Sequence, residues 1–328
     1  MRNWLVWLLS LGAAVALFLV LTLFYQQSTP EGPPSLPTVP VVLKSTGQPM
    51  DFWDAVSQGM RQASREFGLP VETTGPPHER DIEQQLSIVE EVIAGQPPLI
   101  ILAASDYNRL AEPVSRAVSL GIPVITLDSG VNSDEPISFV ATDNVEAGRK
   151  AGAEMVRLMA EHAPGAVAIV SHIRETATAI EREAGVREAL SGLDIAGTWF
   201  CDVNREKAYA ITRDLLNQPE IGGIVALNEV ATLGVADAVR DAAAQDRVIV
   251  VGFDNSVEEL TYLEQGIIKA TVVQRPFDMG YFAVKTAYEY LSGETVNARI
   301  YTGSLLVTVE NMFDPGYQEI LFPFNEAE

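Results

Sequence analysis

From Val39 onward the chain alternates between short β-branched runs and longer stretches with helical periodicity. Strands are predicted over 39–44, 99–103, 123–127, 165–170, 194–200, 223–227 and 248–253. Helices are predicted over 51–67, 107–120, 144–162, 177–190, 205–218 and 232–244. Gly121-Ile122-Pro123 ends one helix and starts the next strand, as breaker residues do. Strands that lack polar alternation and are separated by helices predict parallel sheets covered on both faces. Right-handed crossovers then imply a doubly wound α/β topology. The pattern restarts near Asp143, which predicts two similar lobes. A closed eight-stranded barrel is the rival at this length, but the restart and the strand-like stretch 298–309, which no helix follows, argue against it.

Five of the apolar runs stop on polar side chains. Leu99 to Ala104 ends at Ser105-Asp106, Val124 to Leu127 at Asp128, and Ile224 to Leu227 at Asn228. Val248 to Phe253 ends at Asp254, and Ala270 to Val273 at Gln274. Open parallel sheets bind ligands outside the carboxyl ends of their strands, so these residues predict a cleft lined for hydrogen bonding.

Composition removes several classes of function. The 328 residues carry 44 Asp and Glu against 22 Lys and Arg, a formal net charge of −22 that repels nucleic acid. Cys201 is the single cysteine, so no intrachain disulfide is possible, and it reads as a small semi-buried residue. His78, His162 and His172 are too far apart in sequence to suggest a metal site. There is no G-x-G-x-x-G run, phosphate loop or nucleophile–base constellation, so no cofactor and no catalytic residue is predicted.

Trp4 to Tyr25 is uncharged and almost entirely apolar, about 22 residues, enough to span ~30 Å of hydrocarbon as a helix. Arg2 precedes it and the next basic residue is Lys44, which predicts a cytoplasmic N-terminus and an extracytoplasmic remainder. The exit through Phe24-Tyr25-Gln26-Gln27 has no A-x-A-like cut and no nearby cysteine for lipid attachment, which favours an uncleaved single-pass anchor over a cleaved signal. The proline-rich stretch 28–40 then acts as a semi-rigid spacer.

Over about 40–310 the chain resembles the type I periplasmic sugar-binding proteins, the ribose-receptor group related to the effector domains of lactose-repressor-like regulators. The resemblance lies in D-F-W-D-A-V-S-Q-G-M at 51–60, I-P-V-I-T-L-D at 122–128 and A-T-D-N-V-E-A-G-R-K-A-G at 141–152. It continues in E-R-E-A-G at 181–185, A-L-N-E-V-A-T-L-G at 226–234, V-V-G-F-D at 250–254 and A-T-V-V-Q at 270–274. It implies two lobes joined by a three-stranded hinge, one of 41–141 plus 275–303 and the other of 142–274 plus 304–328. These follow a membrane segment (1–27) and a linker (28–40).

The resemblance also implies a set of sugar contacts. Phe52 and Trp53 would sandwich a ring. Asp128 and Asp254 would accept from hydroxyls, Arg182 would span two ligand oxygens, and Asn228 and Gln274 would donate and accept at once. Each residue also has a structural reading: helix cap for the aspartates, turn former for Asn228, core for the aromatics, surface ion pair for Arg182. Gln48, Asp51, Ser105 and Ser129 form a second tier. Ser129 stands where the ribose group has an arginine, Ala103-Ala104 where it has an asparagine, and Val203 at a third aromatic position, so a ligand other than ribose is expected.

The expected function is therefore an extracytoplasmic receptor for a sugar or a related polyol or nucleoside. It would close over the ligand and deliver it to an ABC permease, or, as an anchored sensor subunit, signal to a histidine kinase. A glycoside-acting enzyme using Asp128 and Asp254 is the remote alternative. A transcription regulator would need a DNA-binding headpiece where the membrane segment stands.

Overall fold

The computed structural model describes residues 18, 36–47, 51–162 and 165–321. The expected membrane segment, apart from Phe18, and the linker before residue 36 lie outside them. No helix among the described residues is long and apolar enough to cross a membrane.

Two six-stranded sheets organise the chain from Val39 on. The first lobe contains β1 (Val39–Val42), β2 (Val71–Thr74), β3 (Ile100–Leu102), β4 (Val124–Leu127), β5 (Ser138–Ala141) and β11 (Arg299–Tyr301), in the order β11-β5-β4-β3-β1-β2. The second contains β6 (Ala166–Ser171), β7 (Ile195–Phe200), β8 (Ile221–Ala226), β9 (Ile249–Phe253), β10 (Ala270–Val273) and β12 (Leu305–Thr308), in the order β12-β10-β9-β8-β6-β7. The same strand order appears in both lobes, which is the repeat the sequence pattern predicts.

Helices cover both faces of each sheet. They are α1 (Asp51–Phe67), α2 (Ile82–Ala94), α3 (Ala111–Ser119), α4 (Asn144–His162), α5 (Ala177–Ala189), α6 (Arg205–Leu216), α7 (Glu229–Asp241), α8 (Val257–Glu264), α9 (Pro276–Leu291) and α10 (Pro315–Leu321). Between the helices the inner strands bury their side chains: β3, β4, β8, β9 and β10 are buried throughout. The first core joins Val42, Ile100, Leu102 and Val124 to Val89 and Ile93 of α2 and Val114 of α3. In the second, Met155 and Met159 of α4 and Val186 of α5 pack on Ile169, Val225 and Val251.

The chain changes sheets three times, after β5, after β10 and between β11 and β12. The strand-like stretch 298–309 is thus two strands in different sheets. Thr302 to Ser304 join them, and Lys150 of α4 holds this connection through the Ser304 carbonyl at 2.8 Å. The last strand departs from the all-parallel expectation: β12 returns antiparallel to β10.

Elements beyond the sequence-predicted set are present: β2, β5, α2, α8, α9 and α10. β2, V-E-T-T, is a half-exposed edge strand and β5 is only four residues long, so neither forms a marked apolar run. Elsewhere capping moves the predicted ends. α7 starts at Glu229 because the Asn228 side chain caps it, accepting from Ala231 N at 3.0 Å. α3 starts at Ala111 rather than at 107, because Asp106 Oδ1 accepts from the Asn108 and Arg109 amides and holds 107–110 as turns.

Candidate functional site

The carboxyl ends of both sheets face one cavity. It is lined by Lys44, Phe52, Trp53, Glu79 and Asp128 from the first lobe, by His172, Thr178, Arg182, Asn228 and Asp254 from the second, and by Gln274 at a crossover. All seven principal residues named from sequence are therefore in its wall. The cavity is small, about 30 Å³, room for a water or two, against the ~300–1,000 Å³ usual for small-molecule sites. Phe52 is the most exposed of the seven at 9 %. Away from the cavity, the Tyr107 amide of the first lobe donates to the Glu175 carbonyl of the second at 2.8 Å.

Each polar wall residue is already held by protein partners, which fixes its orientation before a ligand arrives. Arg182 is buried and so is not a surface ion-pair partner. Its Nε donates to Asn144 Oδ1 (2.9 Å), Nη1 to the Leu227 carbonyl (2.8 Å) and Nη2 to Gln274 Oε1 (2.8 Å). The guanidinium also lies 4.8 Å from the centre of the Phe253 ring. Of its five N–H groups, two remain for a ligand. Gln274 Oε1 also accepts from Thr142 Oγ1 at 2.9 Å, and its Nε2 donates to Asp254 Oδ1 at 2.7 Å. Two of the crossovers are thereby linked to each other and to the cavity wall.

Asp254 accepts at its other oxygen from the Glu229 amide at 2.9 Å. Burial pushes its carboxyl above the usual range, against the pull of the Arg182 charge and the Gln274 hydrogen bond. It is not the cap of the following helix, a role taken by Ser256 in a capping box with Glu259. Asn228 caps α7 through Oδ1, a role other than the expected turn former, and lines the cavity as well. Asp128 caps nothing and pairs with Lys44, Nζ to Oδ2 at 2.7 Å, both side chains being buried.

The aromatic pair differs in geometry from the expected sandwich. The Phe52 and Trp53 rings are 5.1 Å apart and perpendicular, at 89°. An edge-to-face pair in contact leaves no slot between its rings, so the two offer a corner with one face each. Trp53 Nε1 donates to Glu79 Oε1 at 2.8 Å. Burial pushes the Glu79 carboxyl upward, opposed by the Lys44 charge and the indole bond.

Of the second tier, the two serines do not line the cavity. Ser105 and Ser129 are fully buried and outside its wall, each with a hydroxyl that has no hydrogen-bond partner among the described residues. Gln48 lies outside the described residues, and of Asp51 only its place at the start of α1 is described. Four wall residues were missed from sequence: Lys44, Glu79, His172 and Thr178. Lys44 closes the first predicted strand and His172 follows Ser171 at the end of β6. The strand-end rule applied to every strand would have found both. Among the described residues no cluster of His, Cys, Asp or Glu is arranged to hold a metal.

The profile of the periplasmic binding protein domain matches residues 39–295, most of the chain. The chain belongs to this family. A D-allose-binding periplasmic protein of Escherichia coli is 31 % identical over 257 residues, covering 75 % of this chain and 81 % of that protein. A ribose import binding protein of Haemophilus influenzae is 27 % identical over 252 residues, covering 76 % and 84 %. Among solved structures, a carbohydrate transporter solute binding protein from Agrobacterium radiobacter in complex with D-arabinose superposes with a TM-score of 0.83. It is 32 % identical, and the match covers 88 % of this chain and 100 % of that one. Membership accounts for the doubled lobe: the chain is a solute-binding protein and not an enzyme.

Proposed function

We propose that this protein is an extracytoplasmic receptor that closes its two lobes over one neutral monosaccharide and delivers it to an ABC transporter. The observation that carries this reading is the cavity wall itself. Three carboxylates, two amides and an arginine from both lobes meet there beside two aromatic faces. Carboxylates accept from hydroxyls strongly, amides serve both roles of a hydroxyl, and the rings cover C–H surface. The two cations face carboxylates: Lys44 pairs with Asp128, and the Arg182 charge acts on Asp254. That balance suits an uncharged ligand better than a sugar acid or phosphate. The relatives named for D-allose and ribose, and the structure holding D-arabinose, favour the same class.

We assign the lobes to 41–141 plus 275–303 and 142–274 plus 304–328, with the three crossovers as the hinge. The Thr142–Gln274–Arg182 bonds then couple hinge angle to the ligand-facing side chains. Thermal-shift and calorimetric titration against D-allose, D-ribose, D-arabinose and larger disaccharides tests the reading. A monosaccharide raises the melting temperature and disaccharides do not. Absence of binding by every sugar, or preference for a disaccharide, defeats it.

The uncharged stretch from Trp4 to Tyr25 favours a second reading, an anchored form acting as a sensor subunit for a histidine kinase. N-terminal sequencing of membrane-fraction protein separates the two. A start near Gln27 removes the anchor and with it the sensor.

A further inference from the structure

His172, missed by sequence reasoning, is a wall residue with a buried ring nitrogen that has no hydrogen-bond partner among the described residues. It is 3 % exposed, and its Nε2 lies 2.9 Å from Thr178 Oγ1 and 3.1 Å from Thr176 Oγ1. Thr176 caps α5: its hydroxyl accepts from the Ala179 amide at 3.2 Å and donates to the Ile173 carbonyl at 3.0 Å. The Thr176 proton is thus committed. The Thr178 proton goes either to Thr176 Oγ1, at 3.2 Å, or to the imidazole. In the first arrangement Nε2 carries the ring proton and Nδ1 is an acceptor; in the second Nδ1 carries it and is a donor. In both, Nδ1 is buried and has no partner among the described residues.

Buried polar atoms are nearly always paired, and an exception at a ligand cavity calls for a cause. Protonation does not supply one. Burial holds the ring's pKa well below its ordinary value, and the nearby Arg182 and Lys44 charges push the same way. The neutral ring faces a cavity that also holds Asp128, Asp254 and Glu79.

We propose that His172 is a specificity-determining contact whose Nδ1 pairs with one hydroxyl of the bound monosaccharide. This rests on the sugar-binding reading above and deepens it. Thr176 and Thr178 act as positioning residues that fix the ring plane. A hydroxyl satisfies either tautomer, because it both donates and accepts. The epimer at that carbon turns a C–H toward the ring instead and leaves Nδ1 unpaired, which disfavours it by about ten- to hundredfold. His172 thereby selects configuration at one carbon, while the carboxylates and Arg182 grip the remaining hydroxyls.

The test uses the full chain, with D-allose, D-ribose and D-arabinose and their monodeoxy analogues as probes in calorimetry. The best sugar is expected to bind His172→Leu about tenfold or more weaker than the parent. His172→Asn, whose amide nitrogen sits near the place of Nδ1, recovers most of that loss. The deoxy analogue lacking the paired hydroxyl binds the parent and His172→Leu equally. If His172→Leu does not fold, the parent alone decides: with ¹⁵N-labelled histidine, the His172 Nδ1 resonance moves on adding the sugar and stays in place with that analogue. Undiminished binding by His172→Leu, equal losses on every analogue, or an unmoved Nδ1 resonance overturns the proposal and leaves the sugar reading standing. A parent that binds none of the sugars overturns both.

Discussion

Asp128 and Asp254 hold the same position in the two lobes. Each follows the last residue of its strand with a left-handed backbone, φ 62° and 78°. Each donates its amide to the carbonyl of a neighbouring strand, Val140 at 2.9 Å and Val272 at 3.0 Å. A left-handed aspartate costs backbone energy that the surrounding sheet must offset, and such strain concentrates where side-chain direction matters. The two carboxylates then diverge: Asp128 is neutralised by Lys44, and Asp254 is held by an amide side chain and a backbone N–H.

Asp254 accepts one protein hydrogen bond on each oxygen and still keeps lone pairs for a ligand hydroxyl. Replacing Asp254 with Ala is expected to weaken sugar binding about ten- to hundredfold, the worth of a charge-assisted hydrogen bond at ~1.5–3 kcal/mol. Calorimetry measures this directly. Parental affinity in Asp254→Ala would mean that the ligand does not touch this carboxylate.

Lys44 and Asp128 give a stability prediction that needs no ligand. Their contact is 2.7 Å long and both side chains are buried, so removing one partner leaves an uncompensated charge. Lys44→Met is expected to lose about 3–5 kcal/mol in urea unfolding, and Lys44→Met with Asp128→Leu to recover most of it. A single variant as stable as the parent would show that water reaches the pair.

The repeat of strand and helix was legible because parallel sheets buried on both faces leave uninterrupted apolar runs. Those same runs marked where the wall residues begin: Asp128, Asn228, Asp254 and Gln274 stand at strand ends. What escaped had weaker signals. β2 carries Glu72 and Thr73 exposed at a sheet edge, so hydrophobicity does not mark it. Glu79 lies in a loop and bonds to the Trp53 N–H, a pairing with no local pattern. The perpendicular setting of Phe52 and Trp53 is likewise a matter of side-chain torsion, on which sequence spacing is silent.

The E-R-E-A-G and A-G-R-K-A-G strings have a packing cause that bears on the site. A Cβ on Gly185 would stand 2.0 Å from the Val145 carbonyl oxygen, and one on Gly148 would stand 2.2 Å from the Arg182 carbonyl oxygen. Helices α4 and α5 thus touch backbone to backbone beside Arg182. Gly185→Ala is expected to force them apart, costing about 1–3 kcal/mol of stability, and to weaken sugar binding as the guanidinium leaves Gln274 and Leu227. Denaturation and calorimetry on one preparation test both halves. Lost stability with unchanged affinity would separate the helix crossing from the site.

His172 makes acid stability a second measure of the cavity's electrostatics. Its folded pKa is held well below the ordinary value, first by burial and then by Arg182 and Lys44, while the unfolded ring titrates near ~6.5. Below that pH the unfolded chain binds more protons at this residue than the folded one. Its contribution to stability is therefore full above about 6.5 and is lost as pH falls toward the folded pKa. Burial of Asp254 and Glu79 acts in the opposite sense, since their raised carboxyls favour the folded state on acidification. Comparing the parent with His172→Asn cancels that background to first order. The parent's stability relative to His172→Asn is expected to fall by about 1 kcal/mol between pH 7 and pH 5.5. Urea unfolding at the two pH values measures the difference. A difference that does not change with pH would mean that the ring protonates freely in the folded protein and that the cavity is not closed around it.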